Sequence, residues 1–337
     1  MGLGSSQPIS LQLNAYLDQF QGIEKYKTAF GEFKENFNTH LDSGSIKLFE
    51  YYNSPFKPKF HWYGCSLNTH ASSGEAFHRN KAIIRALGEL YERIPIFKGL
   101  EEAHSVGDGS TYLRKVPVLM DSNGLSFGLN IKEALLRSYK ELVERHVVLD
   151  YWGKKTPVQK ITKFNRYSVD SFLYKYQAHI KCRFLNLKND LGFHVVVCNL
   201  HRNDRPPYNI FGYGSSENID SAMEKAFLEA WRFFWNFQIQ TESSKTGAPK
   251  NVITCEDHFD YYCYNKIDPS EVFALGSASP MTAPPLKIDD LFWFDLSGIG
   301  YAGYSLKVQR NDFHPFTSGK LKTGFYKRVL GEVHPIA

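Results

Sequence analysis

Two segments of the chain carry the same pattern of charged residues. Residues 85–93 read Arg-Ala-Leu-Gly-Glu-Leu-Tyr-Glu-Arg, and residues 137–145 read Arg-Ser-Tyr-Lys-Glu-Leu-Val-Glu-Arg. On a helix, the first Arg, the two Glu and the last Arg of such a segment lie on one face. Two helices that each present two carboxylates could converge on hard cations, while their arginines neutralise phosphate oxygens. The pattern is therefore compatible with a site for a magnesium-bound nucleotide.

A third, weaker copy of the pattern consists of Lys225, Glu229 and Arg232. The alternative interpretation is a set of solvated helix faces, in which each Arg–Glu pair adds about 0.2–0.5 kcal/mol of stability. Repetition favours a shared role, because solvated faces have no reason to repeat a spacing. The chain contains neither the GxxxxGK[ST] nor the GxGxxG motif, so a nucleotide would be held without a glycine-rich loop.

The elements that must position these residues can be predicted from hydrophobic periodicity and turn residues. Helices and strand pairs alternate, which predicts an α+β fold of mixed β-sheets packed with three long helices. The predicted elements are an amphipathic helix over 9–40, a β-prone stretch at 60–70, a turn at 71–75, long helices at 77–98, 131–152 and 217–238, a strand pair at 112–130 around a turn at 121–124, strands at 181–187, 193–200 and 208–214, a looser region at 265–288 and a last strand at 302–309.

Composition excludes several classes of protein. The 337 residues are 42% hydrophobic and 22% charged, as in ordinary soluble globular proteins. The net charge of +5 is not concentrated in a basic stripe, so a dedicated nucleic-acid binder is not expected, although a basic cleft for phosphates or an acidic peptide is compatible with it. No apolar run is long enough to span a membrane, and the N-terminus lacks the features of a signal peptide. We expect a cytoplasmic protein.

The five cysteines show no CxxC spacing. Cys198 and His201 are three residues apart, but no second pair follows at zinc-site spacing. Reduced, mostly buried thiols are therefore favoured over a structural zinc site.

The three charged helices together resemble the YcaO family. Its members carry an A-x-x-x-A-L-x-E-x-x-E-R helix after a Gly-containing turn, then a helix with E-x-x-E, then a helix with an E-A motif. The matching residues are Ala71, Gly74, Ala82, Ala86, Leu87, Glu89, Glu92 and Arg93, then Ala134, Leu135, Glu141, Leu142, Glu144, Arg145 and His146 followed by Asp150, Tyr151 and Trp152, and finally Ala222, Ala226, Leu228, Glu229 and Ala230. Their order and rough spacing extend over residues 60–337.

The C-terminal segment adds to this resemblance. The stretches 314–316 and 318–321 and the final His334-Pro335-Ile336-Ala337 are similar to the end of azoline-forming YcaO proteins, although only one proline stands in the tail. By its size and its Phe-rich helices, the chain looks most like the stand-alone YcaO subunit of microcin-type thiazole/oxazole synthetases.

The resemblance implies a domain layout and a set of site residues. An N-terminal helical segment (1–59) would precede a YcaO-like ATP-dependent domain (60–337), with ATP and Mg²⁺ as cofactors. Metal would be held by Glu89, Glu92, Glu141 and Glu144; the nucleotide would be bound by Arg85, Arg93, Arg137, Arg145, Glu229 and Arg232; and the catalytic tail would comprise His334, Pro335 and Ala337.

The resemblance also implies a reaction and partners. A Cys, Ser or Thr side chain of a precursor peptide would attack the preceding carbonyl, the resulting oxygen would take the γ-phosphoryl group of ATP, and phosphate would leave as the azoline ring forms. Because little sequence precedes residue 60, we expect a leader-binding ThiF-like or recognition-element partner protein. A flavin-dependent azoline oxidase is a further expected partner if azoles are the product.

Three departures from the family pattern leave alternatives open. Arg85, Arg137 and Arg232 stand where the family often has Ser, Asn or Gln, and Gln. They could bind phosphates, or they could fill the nucleotide site and leave a non-catalytic scaffold subunit. Thioamide formation with a TfuA-type partner is the other alternative. The tail has two interpretations as well, since its terminal carboxylate could orient or deprotonate the substrate, or the terminus could be frayed.

Overall fold

The computed structural model describes thirteen stretches of the chain, and all structural statements refer to them. They are residues 46–53, 60–67, 70–93, 100–105, 111–115, 124–128, 130–163, 169, 179–242, 247–276, 291–295, 304–310 and 333–336. The predicted helix over 9–40 and the turn residues 121–123 lie outside them, as does Ala337.

The chain divides into two compact units. The first comprises residues 1–142 and 284–313, and the second comprises residues 143–283 and 314–337. The division falls within the second long helix. The predicted boundary at residue 60 remains a prediction.

The first unit begins with an antiparallel sheet and a helix. The sheet has the order β1 (Ile46–Asn53), β2 (His61–Leu67) and β3 (His70–Ala76), and helix α1 spans Arg79–Arg93. One face of the sheet packs on α1 through Ile46, Tyr63, Cys65, Leu67, Ala76, Ala82, Ala86, Leu87 and Leu90. The end of the predicted N-terminal helical segment is thus a strand, and so is the predicted turn at 71–75.

The second sheet of this unit has five strands in the order β5-β4-β11-β12-β6. Their bounds are β4 (Leu100–Ser105), β5 (Thr111–Lys115), β6 (Leu125–Gly128), β11 (Leu291–Asp295) and β12 (Tyr304–Arg310). The strand pair predicted within 112–130 is therefore wrong. β5 and β6 lie at opposite edges of the described sheet, since β5 pairs with β4 and β6 pairs with β12.

Helix α2 (Ile131–Lys154) follows, and the described part of the second unit contains its C-terminal half, an antiparallel sheet and three further helices whose bounds the structure gives. The sheet has the order β10-β9-β8-β7, with β7 (Gln159–Ile161), β8 (Lys181–Leu187), β9 (His194–His201) and β10 (Asn209–Ser216). The helices are α3 (Ile219–Glu242), α4 (Cys255–Tyr264) and α5 (Pro269–Val272). β9 is buried over seven consecutive residues, as its Val-rich sequence predicts.

The expected fold class is confirmed. Antiparallel sheets pack with three long helices, and these helices begin and end within a few residues of the predicted positions, except that α1 ends at Arg93. Of the helices that the structure describes, none combines the length and the apolar character needed to cross a membrane.

Candidate functional site

The two carboxylates of α1 are oriented by backbone N–H groups of the first unit. Glu89 Oε2 accepts a hydrogen bond from Ser73 N of β3 at 3.2 Å, and Glu92 Oε1 accepts one from Phe127 N of β6 at 2.8 Å. Both side chains are partly buried. A carboxylate held by such a bond has a fixed direction, and carboxylate oxygens are the ligands that Mg²⁺ prefers. The chemistry of this pair fits a magnesium ion.

The cation that opens each charged segment donates to a strand carbonyl ten residues earlier in the sequence. The three contacts are Arg85 Nη1 to Glu75 O at 2.7 Å, Arg137 Nη1 to Phe127 O at 3.3 Å, and Lys225 Nζ to Ser215 O at 2.9 Å. Arg137 also forms an ion pair with Glu133 at 2.5 Å. These contacts attach each helix to the strand before it, which gives Arg85 and Arg137 a structural role.

The glutamates of the first and third copies share a second contact. Glu89 accepts from the backbone N–H of Ser73, and Glu229 Oε2 accepts from that of Tyr213 at 2.5 Å, in each case sixteen residues earlier. The repeated spacing thus corresponds to a repeated strand–helix unit, formed by β3 and α1 and again by β10 and α3.

Glycine permits the close contact between strand and helix in both strand–helix pairs, β3 with α1 and β10 with α3. A Cβ atom on Gly74 would lie 2.2 Å from Ala86 N, and one on Gly214 would lie 2.1 Å from Ala222 O. Helix and strand backbones approach so closely that any side chain at either glycine would collide with backbone atoms. The alanines of the helices complete these contacts.

In the second unit, acidic and basic side chains from α2 and α3 form a cluster next to β10. Burial raises the pKa of Glu144, while Arg145, Lys225 and hydrogen bonds from Ser215 oppose the increase. Burial also raises the pKa of Glu229; Arg232 opposes this, and the charge of Glu144 adds to it. The two carboxylates are thus held near each other, and a cation would relieve their repulsion.

Arg232 completes this cluster. Its Nη2 lies 3.9 Å from Glu229 Oε1, and both side chains are about four-fifths buried, with 20% and 21% exposed. Its guanidinium also stacks over the ring of Phe233, 4.8 Å from the centroid. The cluster therefore combines two carboxylates with three cations, Arg145, Lys225 and Arg232, a set that fits a phosphate-bearing ligand.

The chain end that the structure describes is docked in the second unit. Val333, His334, Pro335 and Ile336 are all buried. The ring of His334 lies 4.3 Å from that of His258 and 6.1 Å from that of Trp152, centroid to centroid. The frayed alternative does not hold for these four residues.

The remaining predicted site residues are distributed as follows. Glu141 is partly buried on α2. Arg93 closes α1, but its side chain is outside the described part of the structure, and so is Ala337. Within the residues that the structure describes, no group of three or more His, Cys, Asp or Glu side chains is arranged around a metal position. The metal-ligand set therefore remains a proposal.

The cysteines whose side chains the structure describes are mostly buried, as expected. Cys65, Cys198 and Cys263 are buried and not joined in a disulfide, and Cys182 is partly buried. Cys198 Sγ lies 3.7 Å from Cys182 Sγ, and burial raises the pKa of the Cys198 thiol well above its usual value. His201 Nδ1 contacts Tyr208 O at 2.9 Å.

Sequence reasoning missed the strand residues of the site. Tyr213 and Ser215 of β10 contact the glutamates of the cluster, yet they show no charge pattern of their own. The available signal was the constant spacing in sequence between each helical residue and the strand residue that it contacts. Counting back ten residues from the cation, or sixteen from the glutamate, identifies the strand partner.

Comparison with known proteins agrees with this architecture. The sequence profile described as "YcaO cyclodehydratase, ATP- and Mg²⁺-binding" matches residues 109–291. No curated protein matches the sequence.

Three solved structures share the fold at low identity. A heterocyclase in complex with substrate and cofactor has a TM-score of 0.68 and 15% identity over 90% of this chain and 56% of its own, so this chain spans little more than half of that protein. The Escherichia coli microcin synthetase McbBCD complex with pro-MccB17 bound has a TM-score of 0.64 and 13% identity, over 79% and 88% of the two chains. YcaO from Methanopyrus kandleri, bound with AMPPCP and Mg²⁺, has a TM-score of 0.57 and 13% identity, over 83% and 91%.

Proposed function

The chain belongs to the YcaO family of ATP- and Mg²⁺-binding cyclodehydratases, and we propose that it is the ATP-dependent subunit that forms azolines from Cys, Ser or Thr residues of a ribosomally made peptide. The observation that carries this proposal is the cluster of the second unit. There the partly buried Glu144 and Glu229 influence each other electrostatically and are joined by the cations Arg145, Lys225 and Arg232. Buried carboxylates of raised pKa beside several cations are typical of a site that binds a charged ligand.

We assign roles to the charged residues accordingly. The carboxylates that hold Mg²⁺ are Glu89, Glu92, Glu141 and Glu144, and the groups that face phosphate are Arg93, Arg145 and Arg232, with Glu229 beside them. Arg85 and Arg137 are assigned to phosphate only secondarily, because each would have to give up its strand carbonyl. When bound, ATP supplies the phosphoryl group that turns the peptide oxygen into a leaving group. The chain itself positions the reactants and neutralises charge.

The C-terminal tail has a proposed catalytic role. The carboxylate of Ala337 orients the substrate nucleophile or removes its proton, and His334 and Pro335 hold the chain end in place. Burial of residues 333–336 supports this role, because a docked backbone delivers the terminus to one place. A dry, carboxylate-rich environment raises the pKa of a carboxyl group and makes it a better base.

Partners follow from the proposed substrate. A leader-binding ThiF-like or recognition-element protein delivers the precursor peptide, and a flavin-dependent oxidase acts afterwards where azoles are the final product. McbBCD is a synthetase complex with a bound pro-peptide, which supports a comparable assembly here.

A non-catalytic scaffold is the alternative function, and it would follow if Arg85, Arg137 and Arg232 filled the nucleotide site. Strand-carbonyl contacts account for the first two without placing either in a nucleotide site. Nucleotide binding separates the scaffold from the enzyme.

The experiment compares the double variant Glu89→Gln/Glu141→Gln with the wild type in calorimetric titrations with Mg²⁺ and a non-hydrolysable ATP analogue. We expect the double variant to lose binding while its helical circular-dichroism signal is retained. Glu133→Gln is the matched control, because this residue lies on α2 as well but pairs with Arg137 at the surface. Unchanged affinity in the double variant would refute the metal assignment, and a wild type that binds no nucleotide would support the scaffold.

A further inference from the structure

Three buried side chains hold three successive carbonyl groups of the tail. Tyr262 Oη donates to Val333 O at 2.5 Å, His258 Nδ1 contacts His334 O at 3.0 Å, and Tyr213 Oη donates to Pro335 O at 2.7 Å. Two of the anchors lie on α4, and Tyr213 lies on β10. A buried carbonyl needs such a donor, so the anchors fix the path of the backbone residue by residue.

Tyr213 differs from the other two anchors because it also contacts the charged cluster. Its backbone N–H donates to Glu229 Oε2 at 2.5 Å, while its hydroxyl donates to the tail at Pro335 O. A single residue, Tyr213, therefore connects the tail carbonyl to the carboxylate of Glu229.

The phenol of Tyr213 can act only as a hydrogen-bonding group at neutral pH. Burial raises its pKa well above the usual value, and the neighbouring charges of Glu229 and Glu144 add to this effect while Arg145 opposes it. The hydroxyl thus stays protonated and continues to donate to the tail.

We propose that Tyr213 is a positioning residue whose hydroxyl sets the distance between the C-terminal tail and the Glu229 carboxylate. The inference rests on the proposed function, because it supposes that the tail takes part in ring formation. Tyr262 and His258 keep the tail docked, whereas Tyr213 determines where the docked tail lies with respect to the carboxylates.

The test uses Tyr213→Phe in the complex co-purified from its native operon. The substitution removes one hydroxyl and leaves the backbone N–H that holds Glu229. Ring formation is followed by mass spectrometry as the loss of one water per ring in the co-purified peptide. We expect kcat to fall about tenfold, with KM for the peptide and the affinity for Mg²⁺ with a non-hydrolysable ATP analogue unchanged within twofold.

Two matched variants distinguish positioning from simple anchoring. Tyr262→Phe removes the equivalent bond to Val333, and we expect it to lower kcat less than threefold. Tyr151→Phe removes a partly buried hydroxyl-to-carbonyl bond to Lys188 O elsewhere in the same unit, and it should leave kcat unchanged. Equal losses in Tyr213→Phe and Tyr262→Phe would show that both tyrosines only anchor the tail and would overturn the inference.

A second measurement does not depend on turnover. Hydrogen exchange of the tail amides should rise about tenfold in Tyr213→Phe, because its C-terminal anchor is lost. Unchanged exchange together with wild-type kcat would overturn the inference and leave the proposed function standing. A wild-type complex that binds no nucleotide and forms no rings would instead overturn the proposed function, and the inference with it.

Discussion

The first and third copies of the charged motif share a backbone arrangement but differ in their surroundings. In both, a helical cation donates to a strand carbonyl and a glutamate accepts from a strand N–H at the same distance along the chain. Around Glu229, however, the charges of Glu144, Arg145 and Arg232 gather, and the strand residue that holds it also holds the tail.

The difference shows which part of the motif is structural. In both copies, the helical cation and the strand glycine attach the helix to the strand before it, so these residues maintain the fold. The electrostatic environment depends on what packs next to the unit, and in the third copy this is the C-terminal half of α2. A repeated spacing therefore identifies a repeated scaffold, and the neighbouring side chains determine the electrostatic environment of each copy.

The largest expected effect comes from removing the tail, which contacts the third copy through Tyr213. Deleting residues 334–337, or extending the C-terminus with a short tag, should abolish ring formation, because the terminal carboxylate is lost or displaced. Folding and nucleotide binding should persist, since the helices keep their strand contacts. Peptide mass spectrometry and nucleotide calorimetry measure the two effects. Wild-type cyclisation rates in the tagged protein would remove the tail from the site.

The close helix–strand contact predicts the next largest effect. Gly74→Ala and Gly214→Ala should each lower the free energy of unfolding by about 3 kcal/mol or more, because the new Cβ atoms collide with backbone that can only shift as a whole. Denaturant titration measures the change.

Gly88→Ala is the matched control for these two variants. A Cβ atom at this helical position would meet Phe127 Cδ1 at an ordinary contact distance of 3.6 Å. The variant should be neutral or stabilised by up to about 1 kcal/mol, because alanine favours the helix. A small loss of stability in Gly214→Ala together with a large one in Gly74→Ala would show that the two strand–helix contacts are not equivalent.

The sequence predicted the long helices because their periodicity and charge spacing are local properties. It failed at residues 71–75, where Ala-Ser-Ser-Gly-Glu looks like a turn. Gly74 is instead a strand residue that lets α1 approach. It also failed at 112–130, since pairing of β5 and β6 was assumed from their proximity in sequence, whereas each pairs with another strand.

The sequence predicted the charged helical residues of the site but not the strand residues that they contact. The glutamates and arginines were selected by spacing, which is visible in one segment. The bonds of Tyr213 and Tyr262 to the tail join residues 122 and 71 positions apart, so no local pattern encodes them. Such contacts depend on the tertiary fold.

The electrostatic contrast between the copies predicts a pH effect. The pKa of Glu229 is raised in the folded protein above its unfolded value of about 4.3, so folding favours the protonated carboxyl. Glu229 therefore stabilises the folded protein at pH values below its unfolded pKa. This contribution to the free energy of unfolding is lost as the pH rises through the folded-state pKa. Glu229→Gln keeps an oxygen for the Tyr213 N–H but removes the charge. Without Mg²⁺ and nucleotide, this variant should be more stable than the wild type at pH 8 and equal to it near pH 4.

Glu89→Gln is the matched comparison for this prediction. It removes the same charge from the first copy, while the amide oxygen still accepts from Ser73 N. Denaturant midpoints at several pH values give the two profiles. Identical profiles for both variants would mean that the cluster around Glu229 has no special electrostatic character.

The smallest expected effect concerns the cations that attach the helices. Arg85→Met and Lys225→Met each remove a bond to a strand carbonyl while keeping most of the aliphatic stem. We expect losses of about 0.5–1 kcal/mol in the free energy of unfolding, at the lower end for Lys225 because its side chain is exposed to water that can solvate the abandoned carbonyl.

Nucleotide affinity should fall in Lys225→Met, since Lys225 also faces Glu144, and should persist in Arg85→Met if that arginine is structural. A large loss of nucleotide affinity in Arg85→Met, with stability unchanged, would show that Arg85 binds phosphate and does not mainly attach α1 to β3.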